Sequence, residues 1–381
     1  MVINVQEILV LFNIKHPYDR KIIDGILDGL KHSNSKLQVT FMTYDEALLV
    51  AHDYKWDAII ADFDWPQNAD LCASLNIPVV GLMSHSLYQP ETTKLATVFV
   101  APDTKAIVNK AKEHLVACGI KNFGYFSGMA NEIGYWAEHR KNLFEESVKS
   151  SNSNWIGDFT TFNIREHLLK GVVAHTGYLC ASDTQARQLI TLANNLNIDV
   201  PGHIAVIGID NDETENQLSL VPISSVPFDP FVLGREAFLA LFELNSESQT
   251  TTRLVAPGDV INRLSAYLDV SDDPLVSKAL KFIYCHFHRS IKAEQVILEC
   301  RTSRNTLESR FKEQLNKTIH QVLHDVRLEN AKELLRSTSL SIDAIAIQCG
   351  LSSAQYLYYI FRREVGMTPV KYREIKSHSN Q

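Results

Sequence analysis

The stretch Ala205-Val-Ile-Gly-Ile-Asp-Asn-Asp212 is an apolar run that ends abruptly in three polar residues. A strand covered by helices on both faces has no solvent side, so its sequence is continuously apolar. Similar runs recur up to about residue 262, and an amphipathic helical pattern follows most of them. This alternation predicts parallel sheets in a doubly wound α/β fold. The predicted strands include Ile8–Asn13, Leu37–Met42, Ala58–Phe63, Val79–Met83, Phe123–Ser127, Gly177–Ala181 and Ala205–Ile209.

Polar side chains concentrate where these strands end, which is the edge at which parallel α/β sheets bind ligands. Carboxylates and amides can pair with the vicinal hydroxyls of a sugar, and aromatic rings can stack on its faces. Ser, Asp and Asn at such junctions also serve as helix N-caps, so for any single residue both roles stay open. The candidate sugar-binding residues are Asn13, Tyr18, Asp19, Asp62, Asp64, Trp136, Arg140, Asp183 and Asp210.

The sequence contains no motif typical of an enzyme. It lacks a Gly-x-Ser-x-Gly elbow, a phosphate-binding Gly-x-x-x-x-Gly-Lys loop, Gly-x-Gly-x-x-Gly and His-Glu-x-x-His. Asp62 and Asp64 could imitate a catalytic carboxylate pair, but the regular geometry that would aim both at one substrate breaks down at a strand end. We therefore expect a binding protein that is not an enzyme and needs no cofactor or metal.

The N-terminal two-thirds resembles the effector domain of LacI/GalR regulators and sugar receptors. The resemblance rests on Val206-Ile-Gly-Ile-Asp-Asn-Asp212, Ile223-Ser-Ser-Val-Pro227 and Leu233-Gly-Arg-Glu-Ala237. It covers roughly residues 5–265 and implies a bilobed, periplasmic-binding-protein-like sensor, with three crossing strands and the ligand between the lobes. It also places Arg140 where that family grips ligand hydroxyls. In a LacI repressor the DNA-binding unit precedes this domain; here the sensor begins within about ten residues of Met1, so we expect the DNA-binding unit elsewhere.

The C-terminal third has a different composition and pattern. Residues 268–273 are polar and turn-prone, which predicts a linker between a sensor at 1–267 and an all-α domain at 274–381. That domain holds 17 Lys and Arg against 10 Asp and Glu, whereas the whole chain has a net charge of −7. A basic module on an acidic body favours a polyanionic partner, although a solvated basic surface gives the same count. Helices are predicted at Pro274–His286, Ala293–Glu299, Arg304–Leu315, Thr318–Arg336, Ile342–Gln348 and Ala354–Glu364.

Two helix pairs in this domain share one pattern. Each has a short apolar helix, a tight turn and a second helix with Leu and Phe four residues apart, as in Leu307/Phe311 and Leu357/Phe361. Residues spaced by four share one face, so the intervening polar residues point outward, where a helix-turn-helix reaches base edges. A helical bundle used for docking or dimerisation is the alternative. One such pattern alone would be weak evidence for DNA binding, but two in tandem favour double-stranded DNA as partner. The candidate DNA-binding residues are Arg304, Asn305, Glu308, Ser309, Ser353, Gln355, Tyr356, Tyr359, Arg362 and Arg363.

The same domain resembles the AraC/XylS DNA-binding domain. The resemblance rests on Glu329-Asn-Ala-Lys-Glu-Leu-Leu335, Ser341-Ile-Asp-Ala-Ile-Ala346 and Phe361-Arg-Arg-Glu-Val-Gly-Met-Thr-Pro369, and it covers about residues 275–376. It implies that the second helix of each pair enters a major groove. The family often has arginine where this chain has Ser309 and Tyr359. By motif position, its base contacts fall on Asn305, Glu308, Ser309, Gln355 and Tyr359, whereas Arg362 and Arg363 meet phosphates or fix the fold.

A LacI/GalR-like sensor joined to an AraC/XylS-like DNA-binding domain resembles the family of xylose operon regulators. Leu11-Phe-Asn13, Tyr18-Asp-Arg20 and Ile60-Ala-Asp-Phe-Asp64 carry this resemblance. It implies D-xylose as effector, activation of genes for xylose uptake and catabolism, RNA polymerase as a partner and a homodimer. The residues alone support only a small polyhydroxylated ligand. A repressor, or a sensor of another pentose or hexose, is the alternative, and a sugar-binding transport receptor is a remote one.

The remaining features concern location and redox state. No run of about 18 apolar residues occurs, and no basic segment followed by an apolar stretch opens the chain. We therefore expect no membrane contact and a cytoplasmic protein. The six cysteines are scattered without a Cys-x-x-Cys pair, which favours buried, reduced thiols over a zinc site or a disulfide framework.

Overall fold

The structure is a computed structural model that describes residues 6–15, 17–33, 37–83, 97–128, 135–173, 176–244, 251–267, 273–338 and 340–378. Residues 268–272 of the predicted linker lie outside the described residues. The strands are β1 Glu7–Leu11, β2 Gln38–Met42, β3 Ala58–Asp62, β4 Val79–Leu82, β5 Thr97–Pro102, β6 Asn122–Gly128, β7 Asn154–Thr160, β8 Thr176–Cys180, β9 Ile204–Ile209, β10 Ser224–Val226 and β11 Thr251–Val255. The helices between them are α1 Pro17–His32, α2 Tyr44–Val50, α3 Pro66–Leu75, α4 Thr104–Ala117, α5 Tyr135–Lys149, α6 Ile164–Leu169, α7 Asp183–Asn195, α8 Glu213–Leu218 and α9 Pro230–Ala240.

These strands form two parallel sheets. Their orders are β11-β5-β4-β3-β1-β2 and β10-β9-β8-β6-β7. The strand order reverses between β1 and β3 in the first sheet and between β6 and β8 in the second, and such reversals mark the ligand crevice of doubly wound folds. The predicted α/β class is confirmed. We call the first sheet with its helices lobe 1 and the second sheet with its helices lobe 2.

The chain crosses between the lobes three times, as the resemblance implied. After β5 of lobe 1 it enters α4, which packs on β8, β9 and β10 of lobe 2. After β10 it returns through α9, which packs on α1 of lobe 1. After β11 it crosses again, and Ile261 pairs with Ser225 at the edge of lobe 2.

Two glycines set the spacing of α1 and α9. A Cβ atom at Gly234 would lie far inside 3.0 Å of the Ile22 carbonyl oxygen, and one at Gly25 equally close to the Phe231 carbonyl oxygen. Only residues without a Cβ allow two helix backbones to approach in this way. Because α1 begins with Pro17 and Tyr18, this packing also positions part of the ligand edge of lobe 1.

The described residues after 272 contain helices and no strand. These helices are α10 Pro274–His286, α11 Ala293–Glu299, α12 Arg304–Leu315, α13 Ile319–Ser337, α14 Ile342–Gln348, α15 Ala354–Glu364 and α16 Pro369–His378. Five of the six predicted helices have the observed bounds, and α13 is shifted by one residue. Helix α16 was not predicted.

One apolar core joins lobe 2 to the first helix pair. Val276 and Ile283 of α10 lie in the same buried cluster as Val206 of lobe 2 and Phe311 of α12. The second pair has its own cluster, in which Leu357 and Phe361 of α15 pack with α13. Helix α13 contributes to both, with Val322 and Val326 in the first and Leu328, Ala331 and Leu335 in the second.

We expect Gly234→Ala to lower the free energy of unfolding by about 2–3 kcal/mol, because the new methyl group has no room against the α1 backbone. Thermal and denaturant unfolding would measure the loss. Gly202→Ala is the matched control, since a Cβ there meets only the flexible Asp199 side chain. Equal stability of the two variants would contradict the close packing of α1 and α9.

Candidate functional site

Three carboxylates of lobe 1 lie together at the end of β3 and the start of α1. Asp62, the last residue of β3, is buried, and its Oδ1 accepts a hydrogen bond from the Asp64 backbone N at 2.9 Å. Asp19 is also buried and accepts a hydrogen bond from the Asn13 backbone N at 3.2 Å. Burial, followed by the charges of Asp64 and Asp19, raises the pKa of Asp62 well above its ordinary value of 3.8. The cluster is therefore rich in hydrogen-bond acceptors and has a high cost of full ionisation.

Lobe 2 contributes an arginine that is held rigidly. Arg140 of α5 is buried, and its Nη1 donates to the Ala181 carbonyl oxygen at 2.6 Å. Its Nη2 lies 3.8 Å from Asp210 Oδ1. Its guanidinium stacks on Trp136, with 4.7 Å between the guanidinium carbon and the ring centroid. Partial desolvation of its carboxyl group raises the pKa of Asp210, and the charge of Arg140 opposes that rise.

Groups of both lobes converge on the Tyr18 side chain. Desolvation of its phenol group by the surrounding protein, followed by the charges of Asp64 and Asp210, raises its pKa well above 10.0, while Arg140 acts in the opposite sense. Asp64 belongs to lobe 1, whereas Asp210 and Arg140 belong to lobe 2. The strand ends of the two lobes therefore face one another across a cleft lined by carboxylates, a guanidinium, a phenol and an indole. Such a set can accept and donate hydrogen bonds to a polyol.

The structure gives two predicted sugar residues local partners. Asp183 is 1% exposed, and its Oδ1 and Oδ2 accept from the Ser225 hydroxyl at 2.8 Å and the Asp212 backbone N at 2.7 Å. Gly208 leaves the room that this carboxylate occupies. Asn13 Oδ1 accepts from the Lys15 backbone N at 3.2 Å. Both side chains support turns at the edge of the cleft.

The second helix of each C-terminal pair has the predicted orientation. Ser303 and Ser353 cap α12 and α15 by accepting from the backbone N of Thr306 and Tyr356, at 3.1 and 3.2 Å. The Leu and Phe residues of both predicted stripes are fully buried. The predicted residues that are exposed on the opposite face are Arg304, Asn305, Ser309, Gln355, Tyr359, Arg362 and Arg363.

The exposed face of α12 is partly engaged within the domain. Glu308 is half-buried and accepts from the Ile319 backbone N at 3.3 Å, at the start of α13. Arg304 Nη2 lies 2.6 Å from Glu294 Oε1 on the exposed surface of α11. Asn305 and Ser309 stay exposed beside them.

The face of α15 is aromatic and basic. Tyr356 stacks on Tyr359 with ring centroids 6.2 Å apart, and the Arg363 guanidinium lies 5.3 Å from the Tyr359 centroid. Arg363 also pairs with Glu364. Gln355, Tyr358, Tyr359, Arg362 and Arg363 line a shallow concavity of about 600 Å³. A surface of this kind fits the edges and phosphates of a groove.

Two residues near the cleft were not among the predicted site residues. Arg263 is 7% exposed, and its Nη2 donates to Asn211 Oδ1 at 2.8 Å. Asn211 follows Asp210 directly, so its polar position after β9 was visible in the sequence. Arg263 lies in an irregular segment after the last strand, and no local pattern marks it.

Comparisons with known proteins agree with this arrangement. Residues 7–105 match the XylR N-terminal domain, residues 112–266 the periplasmic binding protein-like domain and residues 299–375 the helix-turn-helix domain. The xylose operon regulatory protein of Escherichia coli (strain K12) is 32% identical over 97% of each chain. That of Haemophilus influenzae (strain ATCC 51907 / DSM 11121 / KW20 / Rd) is 31% identical over 96% of this chain and 98% of its own. This chain belongs to the xylose operon regulatory protein family.

A solved structure of a xylose-binding transcription activator, XylR, superimposes with a TM-score of 0.69 at 31% identity, covering 98% of this chain and 99% of that one. The lac repressor dimer bound to operator shares the fold of the sensor, with a TM-score of 0.53 at 14% identity over 69% of this chain and 95% of that one. Family membership makes this protein a DNA-binding transcription regulator and not an enzyme, as predicted. The predicted bilobed sensor and helix-turn-helix domain are also confirmed.

Of the helices in the described ranges, none has the length and apolar character needed to span a bilayer. In the part of the chain that the structure describes, no group of three or more His, Cys, Asp or Glu side chains is arranged so that it could hold a metal ion. None of the six cysteines, all of which lie within the described residues, forms a disulfide bond, and Cys72, Cys180, Cys300 and Cys349 are buried.

We expect Asp62→Asn to raise the thermal midpoint of the sugar-free protein at neutral pH. A carboxyl whose pKa is raised by folding contributes stability that is present below its unfolded pKa and is lost as pH rises through the folded pKa. The amide of the variant does not ionise and loses no stability in this way. The difference in thermal midpoint between variant and wild type should therefore disappear as pH falls toward about 4. Melting curves between pH 4 and pH 8 measure it, and a gap that widens toward acid would contradict the confined carboxylates.

Proposed function

We propose that this regulator binds D-xylose between its lobes and that the sugar raises its affinity for promoter DNA, so that it activates genes of xylose uptake and catabolism. The observation that carries the proposal is the convergence of lobe 1 carboxylates with Arg140 and Asp210 of lobe 2 around Tyr18. Relatives similar over nearly the whole chain are named for the xylose operon, and one is described as xylose-binding and as an activator.

The proposed sugar contacts use complementary chemistry. A carboxylate accepts the proton of a sugar hydroxyl, and a guanidinium donates to its oxygen. Trp136, with Arg140 on its face, offers an apolar ring to the sugar carbons. In this proposal Asn13 and Asp183 support the adjacent turns. The proposed contacts are Tyr18, Asp19, Asp62, Asp64, Trp136, Arg140 and Asp210.

A sugar that contacts both lobes binds the closed cleft more tightly than the open one. It shifts the equilibrium between them only by that difference in affinity. Lobe 2 shares its core with the first helix pair, so a change in the cleft has a continuous route to the DNA-binding helices.

On DNA, we assign α12 and α15 to successive major grooves on one face of the duplex. Side chains near the start of each helix would contact bases, while Arg362 and Arg363 would contact phosphates. Ser353 caps α15 and Glu308 supports α13, so these two contribute mainly by positioning. The assigned base contacts are Arg304, Asn305, Ser309, Gln355, Tyr356 and Tyr359.

The proposal extends to assembly and location. Paired half-sites match the symmetry of a two-fold dimer, so we assign a homodimer. An activator bound at a promoter acts on RNA polymerase, which makes the polymerase a partner and the cytoplasm the compartment.

Isothermal titration against D-xylose, other pentoses and hexoses tests the sugar assignment. We expect D-xylose to bind most tightly and Asp210→Asn to weaken it about 10- to 100-fold, because a hydrogen bond to a charged group contributes roughly 1.5–3 kcal/mol. Asparagine tolerates the positive φ of 98° at this position. Asp28→Asn is the control, since Asp28 pairs with His32 at the far end of α1. Normal xylose affinity of the Asp210 variant would remove that residue from the site.

Promoter fragments upstream of the xylose genes test the DNA assignment. We expect Arg362→Ala and Arg363→Ala each to weaken specific and unrelated duplexes alike and to reduce the salt slope by about one, as loss of a phosphate contact does. Lys31→Ala in lobe 1 controls for loss of one positive charge. A loss confined to one base position would instead make these arginines base contacts. Weaker promoter binding on addition of D-xylose would contradict the proposed direction of the sugar effect.

A further inference from the structure

The turn that follows β9 connects the cleft to the DNA-binding domain. Asp210 lies beside Arg140 in the cleft. The next residue, Asn211, donates a hydrogen bond from its Nδ2 to Glu333 Oε1 of α13 at 2.9 Å. Adjacent residues of one turn therefore contact the proposed sugar site and the helix that joins the two helix-turn-helix units.

The direction of the Asn211 side chain is fixed. Arg263 Nη2 donates to Asn211 Oδ1 at 2.8 Å, and Arg263 Nη1 donates to the Ile223 carbonyl oxygen at 2.8 Å. A guanidinium only donates hydrogen bonds, so the amide oxygen must face Arg263 and the amide NH2 must face Glu333. Asn211 thus bridges a buried arginine of lobe 2 and a carboxylate of the DNA-binding domain.

The backbone of this turn is held at three successive residues. Asp210 N donates to the Val226 carbonyl oxygen at 3.0 Å, Asn211 N to Ser225 Oγ at 3.0 Å and Asp212 N to Asp183 Oδ2 at 2.7 Å. Asp210 and Asn211 both have positive φ, 98° and 53°. A turn so constrained moves as one piece, because neither residue can rotate alone without losing a bond.

Glu333 lies on the part of α13 that belongs to the second helix pair. Its neighbours Ala331 and Leu335 are buried in the cluster that contains Leu357 and Phe361 of α15. The first pair is held on lobe 2 separately, through α10. The contact between Asn211 and Glu333 therefore bears on how α15 is held relative to α12.

We propose that Asn211 is the positioning residue that transmits sugar binding to the DNA-binding domain. The inference rests on the proposed function: a sugar that engages Asp210 shifts the turn, and Asn211 passes this shift to Glu333 and to the second helix-turn-helix unit. A charge-assisted hydrogen bond is strong enough to carry roughly a tenfold change in affinity between two sites.

The test measures promoter affinity of the full chain with and without D-xylose, and the ratio of the two dissociation constants is the readout. Asn211→Asp keeps an acceptor for Arg263 but sets a second carboxylate against Glu333. We expect its ratio to fall about tenfold toward one, while the D-xylose affinity of DNA-free protein changes less than about threefold.

A second variant outside the turn shows whether the effect of Asn211→Asp comes from the lost contact or from disruption of the turn itself. Glu333→Ala removes the acceptor from a half-buried position of α13 and leaves lobe 2 intact, so it should lower the ratio equally. Glu329→Ala is the matched control, because it removes an exposed carboxylate from the same helix, where it pairs with Lys332 at 2.7 Å. The control should retain the wild-type ratio.

Combining Asn211→Asp with Glu333→Gln reverses donor and acceptor, because the new amide can donate to the new carboxylate. We expect the double variant to regain the wild-type ratio within about threefold. Wild-type ratios in both Asn211→Asp and Glu333→Ala would overturn the inference, as would a double variant that stays uncoupled. If D-xylose does not change the promoter affinity of the wild-type protein, the proposed function itself is wrong, and the variants need not be compared.

Discussion

The buried carboxylate of Asp183 is the interaction on which the functional edge of lobe 2 depends. It accepts from Asp212 N and Ser225 Oγ, and Ser225 Oγ in turn accepts from Asn211 N. A carboxylate can be 1% exposed only where such donors replace water. Its partners define the backbone on either side of Asp210 and Asn211. The Asp183 side chain, at the start of α7, therefore positions both Asp210 in the cleft and Asn211 beside α13.

The two sides of the cleft differ in charge, because lobe 1 carries a cluster of carboxylates and lobe 2 carries a guanidinium. In lobe 1, Asp19, Asp62 and Asp64 lie close together. Burial of Asp62, followed by the charges of Asp64 and Asp19, raises its pKa. Lobe 2 presents Arg140, which is stacked on Trp136 and anchored to Ala181, so its charge is fixed in place. A neutral polyol can serve both sides at once, because each of its hydroxyls donates and accepts. Binding stabilises the folded protein by mass action and, in the proposed mechanism, draws the lobes together.

Local patterns predicted much of this architecture, and long-range contacts account for the site residues that they missed. The bounds of α12 and α15 follow from Ser303 and Ser353 and from Leu-x-x-x-Phe stripes, all within a few residues of one another. Four strands, β5, β7, β10 and β11, were not among those named from the sequence. Of these, β7 (Asn154–Thr160) is a partly exposed edge strand without an apolar run, and β10 (Ser224–Val226) has only three residues. Helix α16 was not predicted because Pro369 resembles a helix stop signal. The cleft residues could be named from strand ends, but the local partners of Asp183 could not. Asn211 is 52 positions from its partner Arg263 and 122 positions from its partner Glu333, and no local sequence pattern predicts contacts at such separations.

The core shared by lobe 2, α10 and α12 limits how freely such a regulator can be rebuilt from parts. Truncation after Tyr267 would uncover apolar side chains of lobe 2 that Val276, Ala279 and Ile283 otherwise cover. Chimaeras that graft this sensor onto a foreign DNA-binding domain would have to keep α10 or recreate its apolar face. A division of α13 between Val326 and Leu328 would separate the two apolar clusters without opening either, whereas one at the polar segment that resembles a linker would expose the core of lobe 2.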